Sequence, residues 1–348
     1  MSPAVVGGAI FLLASGASMI LTDIARRYAV RKAIVDVPNE RSLHSQPTPR
    51  GGGVAIALVV FVSIGGAWAA GLITSRVVAA FLGGGGAVAL IGWWDDRHEI
   101  PAAARILVHF MAAGWALYWL GGFPSLDLGG RTVNLGLSGS LIAAIAIVWL
   151  INLYNFMDGS DGLAGAEAVC VALVGAGILF WSRQNGLALI SLAIAGAAIG
   201  FLIHNWSPAR IFMGDVGSGL LGFLFAALAI AADRQQELPL LAWVILLGVF
   251  VMDATVTLVR RVSRGERWYA AHRTHAYQRL AQTGWTHGRI AAGVCVLNFV
   301  LSCLAVVAVI EPELLLLMVA SAACLLALLY LRIEKLAPFQ PRRSRARD

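Results

Sequence analysis

Three groups of carboxylates interrupt an otherwise apolar chain. Asp95 and Asp96 are adjacent, in GWWDDRHEIP. Two neighbouring ionised carboxylates beside a low-dielectric surface repel each other by roughly 4 kcal/mol at an effective dielectric of 20, which a divalent cation or basic partners would relieve. The plainer alternative is a solvated loop acid beside Arg97. In NLYNFMDGSDGLAG, Asn152, Asn155, Asp158 and Asp161 recur every three residues. Consecutive members therefore lie near one helix face until Gly159 and Gly162 loosen the backbone. Their oxygens are hard donors suited to Mg²⁺ or Mn²⁺, although a polar turn between helices would look similar. An EF-hand does not fit, because DGSDG lacks the required acidic spacing and closing glutamate. Asp215 lies among small residues in HNWSPARIFMGDVGSG, just before an apolar run. A helix N-terminus beside a metal-holding aspartate suits a diphosphate, and an N-cap aspartate gives the same pattern.

Basic side chains supply the complementary charge. In RRVSRGERWYAAHRTHAYQRL, residues 260–280, His272 and His275 are flanked by Arg267, Arg273 and Arg279. This is a cationic patch for phosphate groups, or a basic loop that touches nothing. A zinc site would need further ligands. VDVPNERSLHSQPTPRGGG offers Arg41, His44 and Arg50 on a stretch shaped by proline and glycine. Asp253, two helical turns before Arg260, is either that arginine's partner or a site residue.

The elements that position these groups must be membrane helices. The length, 348 residues, would ordinarily suggest two soluble domains, but apolar residues make up 59% of the chain and charged ones 13%, about half the usual charged share. Mean hydropathy is +0.78. That composition excludes a disordered, collagen-like or disulfide-stapled chain, and argues for no nucleic-acid partner despite a pI of about 9.7. Cys170, Cys295, Cys303 and Cys324 lie in apolar runs and read as small buried hydrophobes. A spanning helix needs roughly 20 apolar residues, which predicts eleven spans: 4–22, 53–73, 77–94, 102–120, 138–154, 164–182, 187–205, 217–232, 238–259, 290–310 and 314–332. The first lacks a basic leader and is read as a retained span, not a signal peptide. Gly83 to Gly86 sit inside a span, where close helix packing explains them better than a phosphate cradle.

With the N-terminus outside, 22 of the 26 Lys and Arg fall on the cytoplasmic side, leaving Arg76, Arg131, Arg183 and Arg234 opposite. The expected architecture is an all-α, polytopic bundle with a periplasmic N-terminus and a cytoplasmic C-terminus. It comprises one transmembrane domain, 1–333, with cytoplasmic loops 23–52, 95–101, 155–163, 206–216 and 260–289, and a basic tail, 334–348, attracted to anionic membrane lipids. All three acid groups fall on the cytoplasmic side, although only Lys and Arg were used to orient the chain.

No loop is long enough to be a soluble catalytic domain, so any chemistry happens at the membrane face. Phosphoryl transfer depends on positioning and charge neutralisation, which hard oxygen ligands, cationic side chains and glycine turns supply. A soluble nucleotide-activated donor can reach that face, and a lipid acceptor can enter from the bilayer. A cation-coupled transporter would place its acids near the bilayer midplane on broken helices instead. A CDP-alcohol phosphotransferase would need Ala-Arg and two later aspartates after Asp-Gly, and neither follows.

Five ordered motifs, VDVPNERSLHSQPTPRGGG, DDRHE, NLYNFMDGSDGLAG, HNWSPARIFMGDVGSG and HRTHAYQR, resemble those of the polyprenyl-phosphate N-acetylhexosamine-1-phosphate transferases. The resemblance runs from about residue 35 to residue 279 and implies a Mg²⁺-dependent enzyme (Mn²⁺ as the alternative) of the bacterial inner membrane. Undecaprenyl phosphate would attack a UDP-N-acetylhexosamine and release UMP. It implies catalytic roles for Asp95, Asp96, Asp158 and His272. Asp215 would hold the metal, with Asp161 a second metal or uracil contact. Arg50, Asn155, Asn205, Phe212, Arg273 and His275 would bind substrate. HRTHAYQ differs from the adjacent histidines of the peptidoglycan enzyme and, with the eleventh span and the tail, resembles the O-antigen-initiating branch. The donor sugar stays open, as does a homodimer.

Overall fold

The computed structural model describes residues 3–38, 43, 46–98, 100–234, 238–266 and 272–339. Arg41, His44, Arg267 and tail residues 340–348 fall outside that set. The chain opens with α1 (Pro3–Arg31), a two-residue pairing of β1 (Val35–Asp36) with β2 (Thr48–Pro49), and α2 (Gly53–Ala69). A short α3 (Ser75–Val78) runs through a π-helical stretch at 79–84 into α4 (Gly85–Asp95). Next come α5 (Ala102–Leu120), a hairpin of β3 (Ser125–Asp127) and β4 (Thr132–Asn134), α6 (Gly136–Phe156), α7 (Leu163–Trp181) and α8 (Asn185–Asn205). The chain closes with α9 (Asp215–Arg234), α10 (Leu240–Leu246), α11 (Gly248–Ser263), α12 (Ala276–Gln282), α13 (His287–Ile310) and α14 (Leu315–Leu336).

Local sequence sets the helix ends. Pro101 and Pro239 stand immediately before α5 and α10, and Thr286 caps α13 by accepting from Arg289 N. Gly121 closes α5 in the left-handed region at φ 86°.

Among the described residues, nine helices are long and apolar enough to cross a membrane. This is a multi-pass helical membrane protein. Every one of the eleven predicted segments carries helix, but two differ from the expected form. The second is the 17-residue α2, short for a span by length alone. The ninth is broken: α10 and α11 meet at 81° around Leu247 and Gly248, a bent span or a re-entrant loop. Apolar character runs unbroken through the bend, so hydropathy could not reveal it. The four-glycine run packs closely at its first three positions: a Cβ on Gly83 would strike the Trp115 ring, one on Gly84 the Phe223 ring and one on Gly85 would press on Leu220, while Gly86 faces open space. The indole N–H of Trp115 donates to the Ala79 carbonyl at 2.7 Å, at the start of the π-helical stretch.

The central post is α9. Of its span, 94% is buried, against 22% for α13 and for α14. Its N-terminus meets the start of α2 almost backbone to backbone, because neither Gly53 nor Gly217 carries a Cβ to separate them. Glu334, the first residue of the expected tail, belongs to α14 and holds Arg260 at 2.6 Å and Arg279 at 2.7 Å.

Candidate active site

Asp215, the first residue of α9, gathers the charged side chains. Arg50, from the strand-like stretch before α2, reaches Asp215 Oδ1 with Nη2 at 2.6 Å and Asp96 Oδ1 with Nε at 2.8 Å. Arg105, near the start of α5, binds Asp95 Oδ2 at 2.5 Å and Asp215 Oδ2 at 3.2 Å. Three carboxylates and two guanidiniums therefore form one alternating cluster, leaving net negative charge. Backbone pairing fixes the register of Arg50: Phe212 N donates to Pro49 O at 2.8 Å, and Gly52 N donates to Phe212 O at 2.9 Å.

Asp96 does a second job. Its carboxylate accepts from Asp215 N at 2.9 Å and Val216 N at 3.4 Å, capping α9 from another helix. Gly214 makes the approach possible, with φ at +77° and no Cβ to press on the Asp96 oxygens. Burial, then the Asp215 charge, lifts the Asp96 carboxyl to about 6, with Arg50 pulling the other way. Arg97, the expected neighbour of the pair, turns aside and lies over the Trp93 ring at 4.0 Å.

Asp158 and Asp161 follow α6 on the loop before α7. Burial, then the nearby Asp215 charge, pushes the Asp158 carboxyl well above its ordinary range. Asp161 is buried too, but its partners outweigh that and hold its carboxyl below the ordinary range. His287 Nδ1 lies 3.1 Å from Oδ1, and Oδ2 accepts from Ala209 N at 3.1 Å. Asn155 donates to the Ser218 hydroxyl at 3.0 Å. Asn205 braces two loops: Oδ1 accepts from Gly162 N at 3.0 Å and Nδ2 donates to Ile211 O at 2.9 Å.

Part of this set lines one cavity of about 330 Å³. Arg50, Asn155, Asp158, Asp161, Asn205, Phe212 and Asp215, all singled out by the sequence, border it. Asp36, Gln278 and His287 border it as well, and sequence reasoning passed over them. Arg105 was also missed, counted only as loop charge. The repulsion between Asp95 and Asp96 was the available signal that a second cation was needed beside them.

The histidine loop is placed differently from a phosphate patch. His272, Arg273 and His275 are not among the cavity-lining residues. The rings of His272 and His275 lie against each other, tilted by 34° with centroids 4.8 Å apart, and His275 Nδ1 lies 3.4 Å from Asp253. The Arg273 carbonyl accepts from Gln282 at 2.9 Å. Asp253 caps α12, accepting from Ala276 N at 2.8 Å and Tyr277 N at 3.3 Å, so it serves the loop and not Arg260. Tyr277 then donates to the Phe156 carbonyl at 3.1 Å, bracing the start of the Asp158 loop. Burial first, with His275 and Arg261 adding, lowers the His272 imidazole to about 3.

The donor set on the cavity wall suits a divalent cation. Asp158, Asp215 and Asn155 are hard oxygen donors bordering one space of net negative charge. Asp161 fits that role less well: a backbone N–H and the His287 ring hold its oxygens, whereas those of Asp215 are held by guanidiniums that an incoming phosphate can draw away. Among the described residues, no three acids, histidines or cysteines are drawn close enough to form a ready-made metal site.

Residues 78–233, from the end of α3 to the penultimate residue of α9, match the model of glycosyl transferase family 4. The chain is 32% identical over 310 residues to a protein from Mycobacterium leprae named decaprenyl-phosphate N-acetylglucosaminephosphotransferase, covering 77% of this chain and 75% of that one. It is 29% identical over 296 residues to a Bacillus subtilis protein named probable undecaprenyl-phosphate N-acetylglucosaminyl 1-phosphate transferase, covering 83% and 81%. It is also 31% identical over 219 residues to the phospho-N-acetylmuramoyl-pentapeptide-transferase of Moorella thermoacetica, covering 58% and 67%.

Proposed function

The chain belongs to glycosyl transferase family 4, and on that premise we propose that it transfers an N-acetylhexosamine 1-phosphate from a UDP-sugar to a polyprenyl phosphate. The observation that carries this reading is the alternating cluster of Arg50, Arg105, Asp95, Asp96 and Asp215, whose Arg50 and Asp215 border the cavity. A phosphate oxygen of the lipid attacks the β-phosphorus of the donor. The bond from that phosphorus to the bridging oxygen breaks, and UMP leaves with the electron pair. Arg50 and Arg105 are held by carboxylates that a phosphate can replace, which suits them to bind the incoming groups. Asp95 and Asp96 hold the two guanidiniums in place, and one of them orients the attacking phosphate. A bound Mg²⁺ or Mn²⁺ would neutralise the donor diphosphate, held by Asp215 and Asp158.

The site faces the cytoplasm of a bacterial inner membrane in this reading, supported by the asymmetry of Lys and Arg. Undecaprenyl phosphate as acceptor, and the opening step of O-antigen or a related envelope glycan as the setting, rest on the HRTHAYQ loop and the extra C-terminal span. The test is UMP release by purified protein given undecaprenyl phosphate, Mg²⁺ and UDP-N-acetylhexosamines singly, with lipid-free and metal-free controls. Release that needs lipid and metal supports the proposal. Silence across the panel, from folded protein that also fails to bind UDP, overturns it.

A further inference from the structure

The first helix is fastened closely along one side. Gly196 and Gly200 of α8 bring the α1 backbone near at Phe11 and Ser15, and the Ser18 hydroxyl donates to Ala197 O at 2.6 Å. Towards α2 the seam stays open. An apolar cavity of about 470 Å³ lies there, bordered by residues such as Val6, Leu13, Leu21, Leu58, Val62 and Gly66. A second, of about 270 Å³, lies between the end of α1, the start of α2 and the end of α4. Leu21 and Leu58 border both, so the two form one trough. Ile24, Tyr28, Leu58 and Trp93 along its second part are exposed, which opens it sideways, where lipid lies around a spanning bundle.

The trough ends on charge. Arg50 and Asp96 close it, and Arg97 stands at the rim over the Trp93 ring. Among the described residues, Arg50 alone borders both this trough and the active-site cavity. Its Nε holds Asp96, on the trough side, at 2.8 Å, and its Nη2 holds Asp215, on the cavity side, at 2.6 Å. One guanidinium therefore stands between an apolar channel and a polar one.

An occupant that matches the whole trough has an apolar chain and an anionic head. Length narrows the choice. From Val6 to Tyr28 along α1 is about 33 Å at 1.5 Å per residue, the full thickness of a hydrocarbon core of about 30 Å. A phospholipid acyl chain reaches only the midplane, about half of that. We infer that the α1–α2 trough seats the prenyl chain of the lipid acceptor, with its phosphate at Arg50 on the Asp96 side. This rests on the transferase reading above. The donor enters from the cavity, the acceptor from the bilayer, and the attack crosses past one guanidinium without either substrate blocking the other's entrance.

Photolabelling tests the seat directly. Full-length protein in phosphatidylcholine nanodiscs is given a polyprenyl phosphate carrying a diazirine part-way along its chain. The expected label falls on α1 and α2 and is lost when unlabelled undecaprenyl phosphate is added. Label confined to other helices overturns the inference. So does protection by phosphatidylglycerol as good as that by undecaprenyl phosphate at equal concentration, which would make the trough an ordinary lipid site.

Blocking the trough tests its use. A Cβ on Gly66 meets nothing within 4 Å, so Gly66→Leu fills trough space without striking the backbone. Surrounding lipid is as apolar as the trough, so a displaced chain loses close packing and not hydrophobic transfer. About ten lost atom contacts correspond to an acceptor KM for undecaprenyl phosphate raised roughly tenfold, while the donor KM stays put. Ala25→Phe, nearer the charged end, should raise it further. An unmoved acceptor KM in Gly66→Leu overturns the inference, as does a donor KM raised equally, which would report general damage. Wild-type UMP release separates this inference from the reading beneath it. Absence of lipid-dependent release sinks the transferase reading and this inference with it, whereas release that persists with label elsewhere sinks the inference alone.

Discussion

Arg50→Ala leaves two buried carboxylates without their shared cation. In the native protein, Arg50 bridges Asp96 and Asp215 at 2.8 and 2.6 Å, and the Asp96 side chain is only 3% exposed. Removing one partner of a buried ion pair costs roughly 3–5 kcal/mol. Arg50 itself remains 32% exposed, so solvent screening brings the expected loss down to about 2–3 kcal/mol. Arg105 still reaches Asp215, which leaves Asp96 as the orphan. Adding Asp96→Asn removes that charge while keeping an oxygen to accept from Asp215 N. The double variant should therefore regain more than half of the lost stability, although both proteins are expected to be inactive. The assay is unfolding of detergent-solubilised protein followed by tryptophan fluorescence, with the four proteins of the cycle compared under identical conditions. Equal midpoints for Arg50→Ala and the double variant would refute the argument that Asp96 carries the cost.

Three further outcomes are expected. Asp215→Asn should lower UMP release by at least about a hundredfold while the protein still folds and inserts, and near wild-type turnover at limiting Mg²⁺ would exclude Asp215 as the metal-holding group. Gly53→Ala places a methyl against the Gly217 backbone and should push α2 and Arg50 away from α9, lowering turnover and melting temperature together; wild-type values for both would show that the contact yields. His272, held down to about 3 in the fold against 6.5 when unfolded, binds fewer protons folded than unfolded between those values. Stability then rises with pH across that window and falls on acidification. His272→Asn should shrink the drop in melting temperature between pH 7.5 and pH 5, and an unchanged drop would contradict a buried neutral ring.

The acid groups were legible in sequence because carboxylates are scarce in apolar chains and cost free energy near a bilayer. Asp95, Asp96, Asp158, Asp161 and Asp215 needed only that rule and a topology to be placed at one end of the bundle. What the rule did not deliver was pairing. Arg105 looked like ordinary loop charge, and nothing near His287 distinguishes it in sequence, because its partner lies 126 residues away. The histidine motif shows the same limit. His272 and His275 sit in a basic stretch, yet only the capping of α12 by Asp253 shows that the stretch folds inward. The bend between α10 and α11 was invisible for a third reason: apolar residues continue through it, and only Gly248 marks the break.

Because α9 is ringed by protein, its first residue stands on a column that lipid does not touch along most of its length. Bilayer thickness, fluidity and acyl composition act on outer helices such as α13 and α14. They can reach Asp215 only after deforming a full layer of neighbours. An enzyme built this way can draw a substrate from the membrane while its reacting groups hold their spacing as growth temperature remodels that membrane. The same arrangement sorts substitutions. Lipid-facing positions of α13 and α14 tolerate exchange among apolar residues, whereas along α9 a single added methylene displaces the centre of the site.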